Sequence, residues 1–145
     1  MRRTFLCIGS IAMTALVSCT VSPTWKAPTG ITTAQVRLAP GGYTFACIGD
    51  KPFHLEPDAQ GNVTLPVDER VMLWSNYSWQ SGNKTYWCSP QTSFIPRAGE
   101  KYTTVFEILP EYHACTYTAY RQTTANRIGL DFEPSARPMQ SCLKP

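Results

Sequence analysis

Apolar and polar positions alternate with a period of two along most of this chain. Residues 34–38 lead into the turn Pro40-Gly41-Gly42, after which Tyr43, Phe45 and Cys47 alternate with Thr44 and Ala46. Successive side chains of a strand point to opposite faces, so such alternation predicts a half-buried strand. Residues 53–55 precede the turn-forming cluster Asp58-Ala59-Gln60-Gly61-Asn62, and 63–67 follow it. The longest alternating stretch, 70–79, turns back at Ser81-Gly82-Asn83-Lys84 into Thr85-Tyr86-Trp87-Cys88. Residues 101–109 and 115–121 are rich in Tyr, Thr, Val and Phe, and 128–132 supply one more short strand. No segment carries an apolar stripe of period 3.6 over three turns, and most of the 12 prolines and 9 glycines fall between the runs. The pattern predicts an all-β protein, a small β-sandwich of about seven or eight strands with little helix.

The N-terminus breaks this pattern. Residues 5–17 form one apolar run behind Arg2 and Arg3, diluted by Ser10 and Thr14 and shorter than the ~20 residues of a membrane span. A basic start, a short apolar stretch and a small residue at its end are the parts of a secretory signal. Leu16-Val17-Ser18-Cys19 resembles the lipobox of bacterial lipoproteins. That resemblance implies cleavage before Cys19, a lipid on Cys19 and loss of Cys7 with the signal. Arg2-Arg3-Thr4-Phe5-Leu6 matches part of a twin-arginine motif but lacks the longer polar lead-in and a following lysine. Ordinary export with lipidation is therefore expected. Thr20, rather than aspartate, resembles the pattern of lipoproteins sorted to the outer membrane, with the periplasmic or surface face left open. The expected layout is a signal at 1–18, a lipidated N-terminus and flexible tether at 19–30, and the sandwich at 31–145. Trp25 is the odd member of the tether; it either packs on the domain edge or sits at the lipid headgroups.

Charge and cysteine content fit this compartment. Of 13 Lys+Arg and 10 Asp+Glu, only Arg2 and Arg3 belong to the signal, so the mature charge is close to zero. The charges are scattered singly, which leaves no basic stripe for nucleic acid. Cys47, Cys88, Cys115 and Cys142 remain after Cys7 and Cys19 are set aside. An even number in an exported domain predicts two disulfides, with three connectivities open. Cys47–Cys88 with Cys115–Cys142 is the favoured pairing because each bond then staples consecutive segments. Without a CxxC pair, and with His113-Ala114-Cys115 a poor ligand set, no metal or other cofactor is expected.

Val36-Arg37-Leu38-Ala39-Pro40-Gly41-Gly42-Tyr43-Thr44-Phe45 resembles the strand–turn–strand phrase of small PEGA-like and transthyretin-like sandwiches. Phe94-Ile95-Pro96-Arg97-Ala98-Gly99-Glu100-Lys101-Tyr102 repeats its logic, a Gly turn feeding a Tyr-led strand. Both read as hairpins. The resemblance implies an accessory envelope lipoprotein and carries over no functional residues.

Catalytic chemistry finds little support. A nucleophile needs a base within hydrogen-bond reach, and the two histidines, His54 and His113, lie near no Gly-x-Ser-x-Gly elbow and in no His-Glu-x-x-His helix. From Asp58, Glu69 falls at the twelfth position of a calcium loop, but Val63 occupies the glycine position, so a plain turn is expected. The unusual composition lies between residues 74 and 87. There Trp74, Tyr77, Trp79, Tyr86 and Trp87 stand among amides and hydroxyls with Lys84 the single charge. Broad aromatic faces flanked by adaptable hydrogen-bonding groups are the make-up of protein contact surfaces, and they also suit sugar rings. Leu73, Tyr77 and Trp79 share one strand face and Trp74 and Asn76 the other, so part of this set is expected to fill the core. The sequence thus reads as a non-enzymatic, lipid-anchored envelope protein, an interaction or structural accessory module with an envelope protein partner. The alternative is a binder of envelope glycan, or an inhibitor of a wall-degrading enzyme, that uses the aromatic hairpin.

Overall fold

The computed structural model describes residues 22–109, 114–138 and Cys142. The expected signal, Cys19 and His113 lie outside the described residues. Ten strands are found in them, and no helix: β1 (Thr33–Arg37), β2 (Tyr43–Ile48), β3 (Lys51–His54), β4 (Asn62–Pro66), β5 (Val71–Ser81), β6 (Lys84–Cys88), β7 (Gln91–Phe94), β8 (Lys101–Leu109), β9 (Ala114–Gln122) and β10 (Leu130–Phe132). The all-β expectation holds, with more strands than the seven or eight predicted. The unforeseen one is β7, whose four residues, Gln-Thr-Ser-Phe, carry little strand character and lie between Pro90 and Pro96.

Two sheets form. The first has the order β10-β9-β8-β1-β4, with β1 and β8 parallel and its other pairs antiparallel. The second has the order β3-β2-β5, and β5 is long enough to take two partners in succession along its far edge. Val71–Trp74 pair with β7, and Tyr77–Ser81 pair with β6. The β5–β6 turn falls where the sequence places it: Ser81 pairs with Lys84, and Gly82, at φ 60°, takes the first central position of the two-residue loop. Glycine occupies that position because a side chain resists positive φ.

Both Pro-Gly phrases prove to be arches between the sheets, not hairpins. β1 lies in the first sheet and β2 in the second, while β7 lies in the second and β8 in the first. Each phrase therefore carries the chain across the core. At the first crossing, Ala39 is buried and its amide donates to Thr104 Oγ1 at 2.8 Å. Gly42 faces inward so closely that an added Cβ would sit 2.5 Å from Ser75 Oγ and 2.9 Å from the Tyr77 ring.

The inward positions of both sheets build one core, including Val36, Leu65, Val71, Leu73, Phe94 and Tyr102, all fully buried. Tyr102 and Phe94 face each other across the sheets at 5.0 Å, and the Tyr102 hydroxyl accepts from the Arg97 amide at 3.0 Å. Toward one end the core turns polar. Thr44 and Ser75 are hydrogen-bonded at 2.9 Å, Ser75 also donates to the Tyr43 carbonyl at 3.2 Å, and Thr104 donates to the Tyr117 hydroxyl at 2.8 Å. Burial pushes the Tyr117 phenol up to about 12. Among the described residues the Tyr77 hydroxyl, buried beside this cluster, has no partner in hydrogen-bond geometry.

The disulfides are Cys47–Cys142 and Cys88–Cys115, which corrects the expected Cys47–Cys88 and Cys115–Cys142. Cys47 pairs in register with Met72 and points outward from the second sheet; Cys88 pairs with Tyr77 and points inward. Thiols on opposite faces of one sheet cannot meet. Cys88 instead meets Cys115 across the sandwich, with their Cα atoms 6.5 Å apart. Cys47 is met from outside by Cys142 at the end of a C-terminal strap. That strap runs beside β7, where Ser93 and Arg137 exchange both backbone hydrogen bonds, at 3.0 and 2.8 Å. Arg70 Nη1 ties it further, donating to the Ser135 carbonyl at 3.0 Å.

The stretch expected to be a flexible tether is partly docked. The Trp25 amide donates to the His54 carbonyl, and the His54 amide to the Pro23 carbonyl, so this segment extends the β3 edge. The Trp25 ring packs edge-on against Phe53 at 5.1 Å, and its Nε1 donates to the Thr64 carbonyl of β4 at 2.8 Å. Of the two readings of Trp25, packing on the domain edge is the observed one.

Candidate functional site

Beyond the sandwich body, two hairpins continue as paired arms. The β2–β5 ladder ends at Tyr43 opposite Asn76, after which, among the described residues, β5 pairs only with β6. The β1–β8 ladder ends at Arg37 opposite Thr103, after which β8 pairs only with β9, as far as Leu109 opposite Ala114. At the base of the arms, Tyr77 stacks on Phe106 with centroids 3.6 Å apart and planes 12° from parallel. The Cys88–Cys115 bond joins the arms from Cys88, opposite Tyr77, to Cys115, opposite Ile108. Farther out, Trp79 stacks on Tyr86 at 5.5 Å. An open groove of about 530 Å³ lies between the arms, lined by Trp79, Tyr86, Trp87, Ile108, Leu109 and Ala114 with the polar Gln80 and Ser81. At its rim Ile108 is 40 % and Trp87 79 % exposed. A small concave site of this chemistry accepts apolar side chains and orients them by a few polar groups.

The five aromatics expected to share one surface do not. Tyr77 is only 7 % exposed and belongs to the core. Trp79 and Tyr86 line the groove. Trp87, opposite Ser78, points to the outward face of the second sheet, as does Trp74, opposite Phe45. Trp74 stacks on Phe45 at 5.4 Å and 15°, and Phe45 in turn meets the His54 ring at 5.4 Å. Ile108 and Leu109 are groove residues that the sequence reading missed, and Tyr43 and Phe45 are aromatics it did not group with Trp74 and Trp87 on the outward face. The alternation around Tyr43 and Phe45 was visible, but only the register shows which parity points outward.

The remaining polar candidates have local roles. Asp58 Oδ1 accepts from the amides of Gln60 at 2.9 Å and Asn62 at 2.8 Å, closing the turn into β4. The Asn62 amide is the main cause that holds the exposed Asp58 carboxyl below its ordinary range. Glu69 lies past the other end of β4, so Asp58 begins a plain turn, as expected. His54 Nδ1 stands 3.9 Å from Glu56 Oε1 at the edge of a shallow concavity of about 750 Å³ between the β1–β2 and β3–β4 loops. Among the described residues no group of three or more His, Cys, Asp or Glu is placed to hold a metal ion, and no helix is long and apolar enough to cross a membrane.

No family model, no curated protein and no solved structure matches this chain.

Proposed function

We propose that this chain is a non-enzymatic lipoprotein of the outer membrane, anchored through a lipid on Cys19, that binds an envelope protein in the groove between its two arms. The observation that carries this reading is the groove itself. Two ribbons lacking lateral strand partners are held side by side by Cys88–Cys115, with Trp87 and Ile108 exposed at the rim. Trp and Tyr presented on a rigid frame supply much contact area at little entropic cost, the property that concentrates binding energy at protein interfaces. The lipobox-like Leu16-Val17-Ser18-Cys19 and the two disulfides support a partner in the same oxidising compartment. The resemblance of residues 36–45 to envelope accessory sandwiches agrees with an accessory role.

The test is photo-crosslinking in the producing cell. A photoreactive amino acid replaces Trp79, Tyr86 or Ile108 in the full chain, with Phe132, exposed on the first sheet, as control. The groove positions are expected to give a discrete protein adduct that the control lacks. A lipidated protein at normal abundance that gives no adduct at any groove position refutes the proposal.

A further inference from the structure

The outward strand positions of the second sheet carry no charge, and the Arg70 guanidinium that donates to Ser93 Oγ at 3.1 Å stands where the C-terminal strap crosses. The register fixes which residues of β2, β3, β5, β6 and β7 point outward, and none of them is Asp, Glu, Lys or Arg. The outward positions of the first sheet, by contrast, include Arg37, Lys101 and Glu107. An antiparallel sheet with one face in water normally carries polar and charged residues there. On the second sheet the C-terminal strap covers the region of Cys47 and Ser93. The uncovered remainder presents Tyr43, 72 % exposed, Trp87, 79 % exposed, and the Phe45–Trp74 stack between amides and hydroxyls.

The chain that leads to the expected anchor ends on the margin of this same face. Pro23 is pinned to His54 by a 2.9 Å hydrogen bond, and His54 is the outward neighbour of Phe45. Cys19 lies four residues before Pro23, and an extended chain of that length spans at most about 14 Å. A lipid on Cys19 therefore holds the β3 margin close to the headgroups. The other surface within reach is the end of the sandwich around the β2–β3 turn. It interleaves Asp50, Asp68, Glu69 and Glu100 with Lys51, Arg97 and Lys101, a strongly hydrated mixture. Tyr and Trp favour the headgroup level because each has an apolar body and a polar handle. We propose that the uncharged aromatic face of the second sheet lies on the lipid headgroup layer that holds Cys19. This rests on the lipid anchoring proposed above. The groove between the arms then opens along the membrane surface, and its partner is met there.

The test uses the processed full-length lipoprotein, reconstituted into vesicles of phosphatidylethanolamine and phosphatidylglycerol with brominated acyl chains, which quench tryptophan emission on contact. Four tryptophans report. The wild type is expected to be quenched, the Trp74→Phe/Trp87→Phe variant to lose most of that quenching, and Trp79→Phe to retain it. Tyr43→Glu, at an exposed position that cannot disturb the core, should also weaken it. Vesicle-bound wild type without quenching, or full quenching in the double variant, overturns the inference. Absent quenching together with pelleting on purified cell wall that Trp74→Phe/Trp87→Phe abolishes would assign the face to glycan instead, and also overturns it. Mass spectrometry of the N-terminal peptide separates the two readings. A peptide without acyl chains on Cys19 refutes the anchor, and the inference falls with it.

Discussion

Two tyrosines buried at the same end of the core differ in what their hydroxyls do, and removing each should move stability in opposite directions. Tyr117 Oη accepts from Thr104 Oγ1 at 2.8 Å, and that Thr104 oxygen also receives the Ala39 amide at 2.8 Å. Among the described residues Tyr77 Oη is buried with no partner in hydrogen-bond geometry, and the neighbouring Ser75 hydroxyl is bonded to Thr44 and donates to the Tyr43 carbonyl. Tyr117→Phe leaves the Thr104 hydroxyl one fallback, the Arg37 carbonyl at 3.4 Å. A buried hydrogen bond contributes about 1 kcal/mol net, so the fallback holds the loss near that value rather than the ~3 kcal/mol of a fully stranded group. Tyr77→Phe keeps the ring stacked on Phe106 and removes an unpaired polar atom, a gain of up to about 1 kcal/mol. For a domain of this size each step moves the midpoint by about 3–5 °C. Urea unfolding of both variants with disulfides intact measures the pair, provided m is unchanged. Equal losses in the two variants, or a loss greater than about 1 kcal/mol for Tyr77→Phe, would refute the assignment of one paired and one orphan hydroxyl.

Three further outcomes follow from the core. Gly42→Ala drives a methyl toward Ser75 Oγ and the Tyr77 ring, at 2.5 and 2.9 Å, and should cost about 1–3 kcal/mol in the same urea assay. Replacing Cys47 and Cys142 by serine opens a separation of 95 residues, against 27 for Cys88 and Cys115. Chain entropy then predicts losses of about 4.7 and 3.6 kcal/mol, so the first pair should melt lower. The Tyr117 phenol is raised by burial from 10.0 to about 12, so its neutral form stabilises the fold fully below pH 10, and that contribution is lost as pH rises from 10 to 12. Stability of the wild type should fall across that window more steeply than that of Tyr117→Phe.

Elements whose evidence is local could be read from the sequence. The alternation of residues 70–79 yields β5, and Ser81-Gly82-Asn83-Lys84 is the turn it resembles. The cysteine-paired character of the domain follows from cysteine number, and all four thiols are paired. Pairing was not readable, because face parity cannot be counted through arches of irregular backbone. Cys47 and Cys88 lie on adjoining pieces of one sheet, yet the register sends them to opposite faces. The same blindness grouped Trp74 and Trp87 with Trp79 and Tyr86, which the strand register separates. The two readings of Trp25 stayed open for another reason. Its role depends on a gap between the β3 and β4 edges that exists only once both sheets are formed.

The position of the staples follows from where strand pairing runs out. A two-stranded ribbon in water is marginal, since each strand has ladder partners on one side only. β5 loses its second neighbour after Asn76 and β8 loses its second neighbour after Thr103, so both arms would fray if they stood alone. Widening either arm with a third strand would restore stability but would also fill the space between them. Cys88–Cys115, with the Tyr77–Phe106 stack beside it, ties the base of the β5–β6 arm to the outer part of the β8–β9 arm and leaves the groove open. The second bond acts where the sheet itself is complete and ties the C-terminal strap to Cys47 of β2, opposite Met72. One disulfide thus substitutes for lateral pairing that an open groove excludes, and the other fixes a segment with few strand partners of its own.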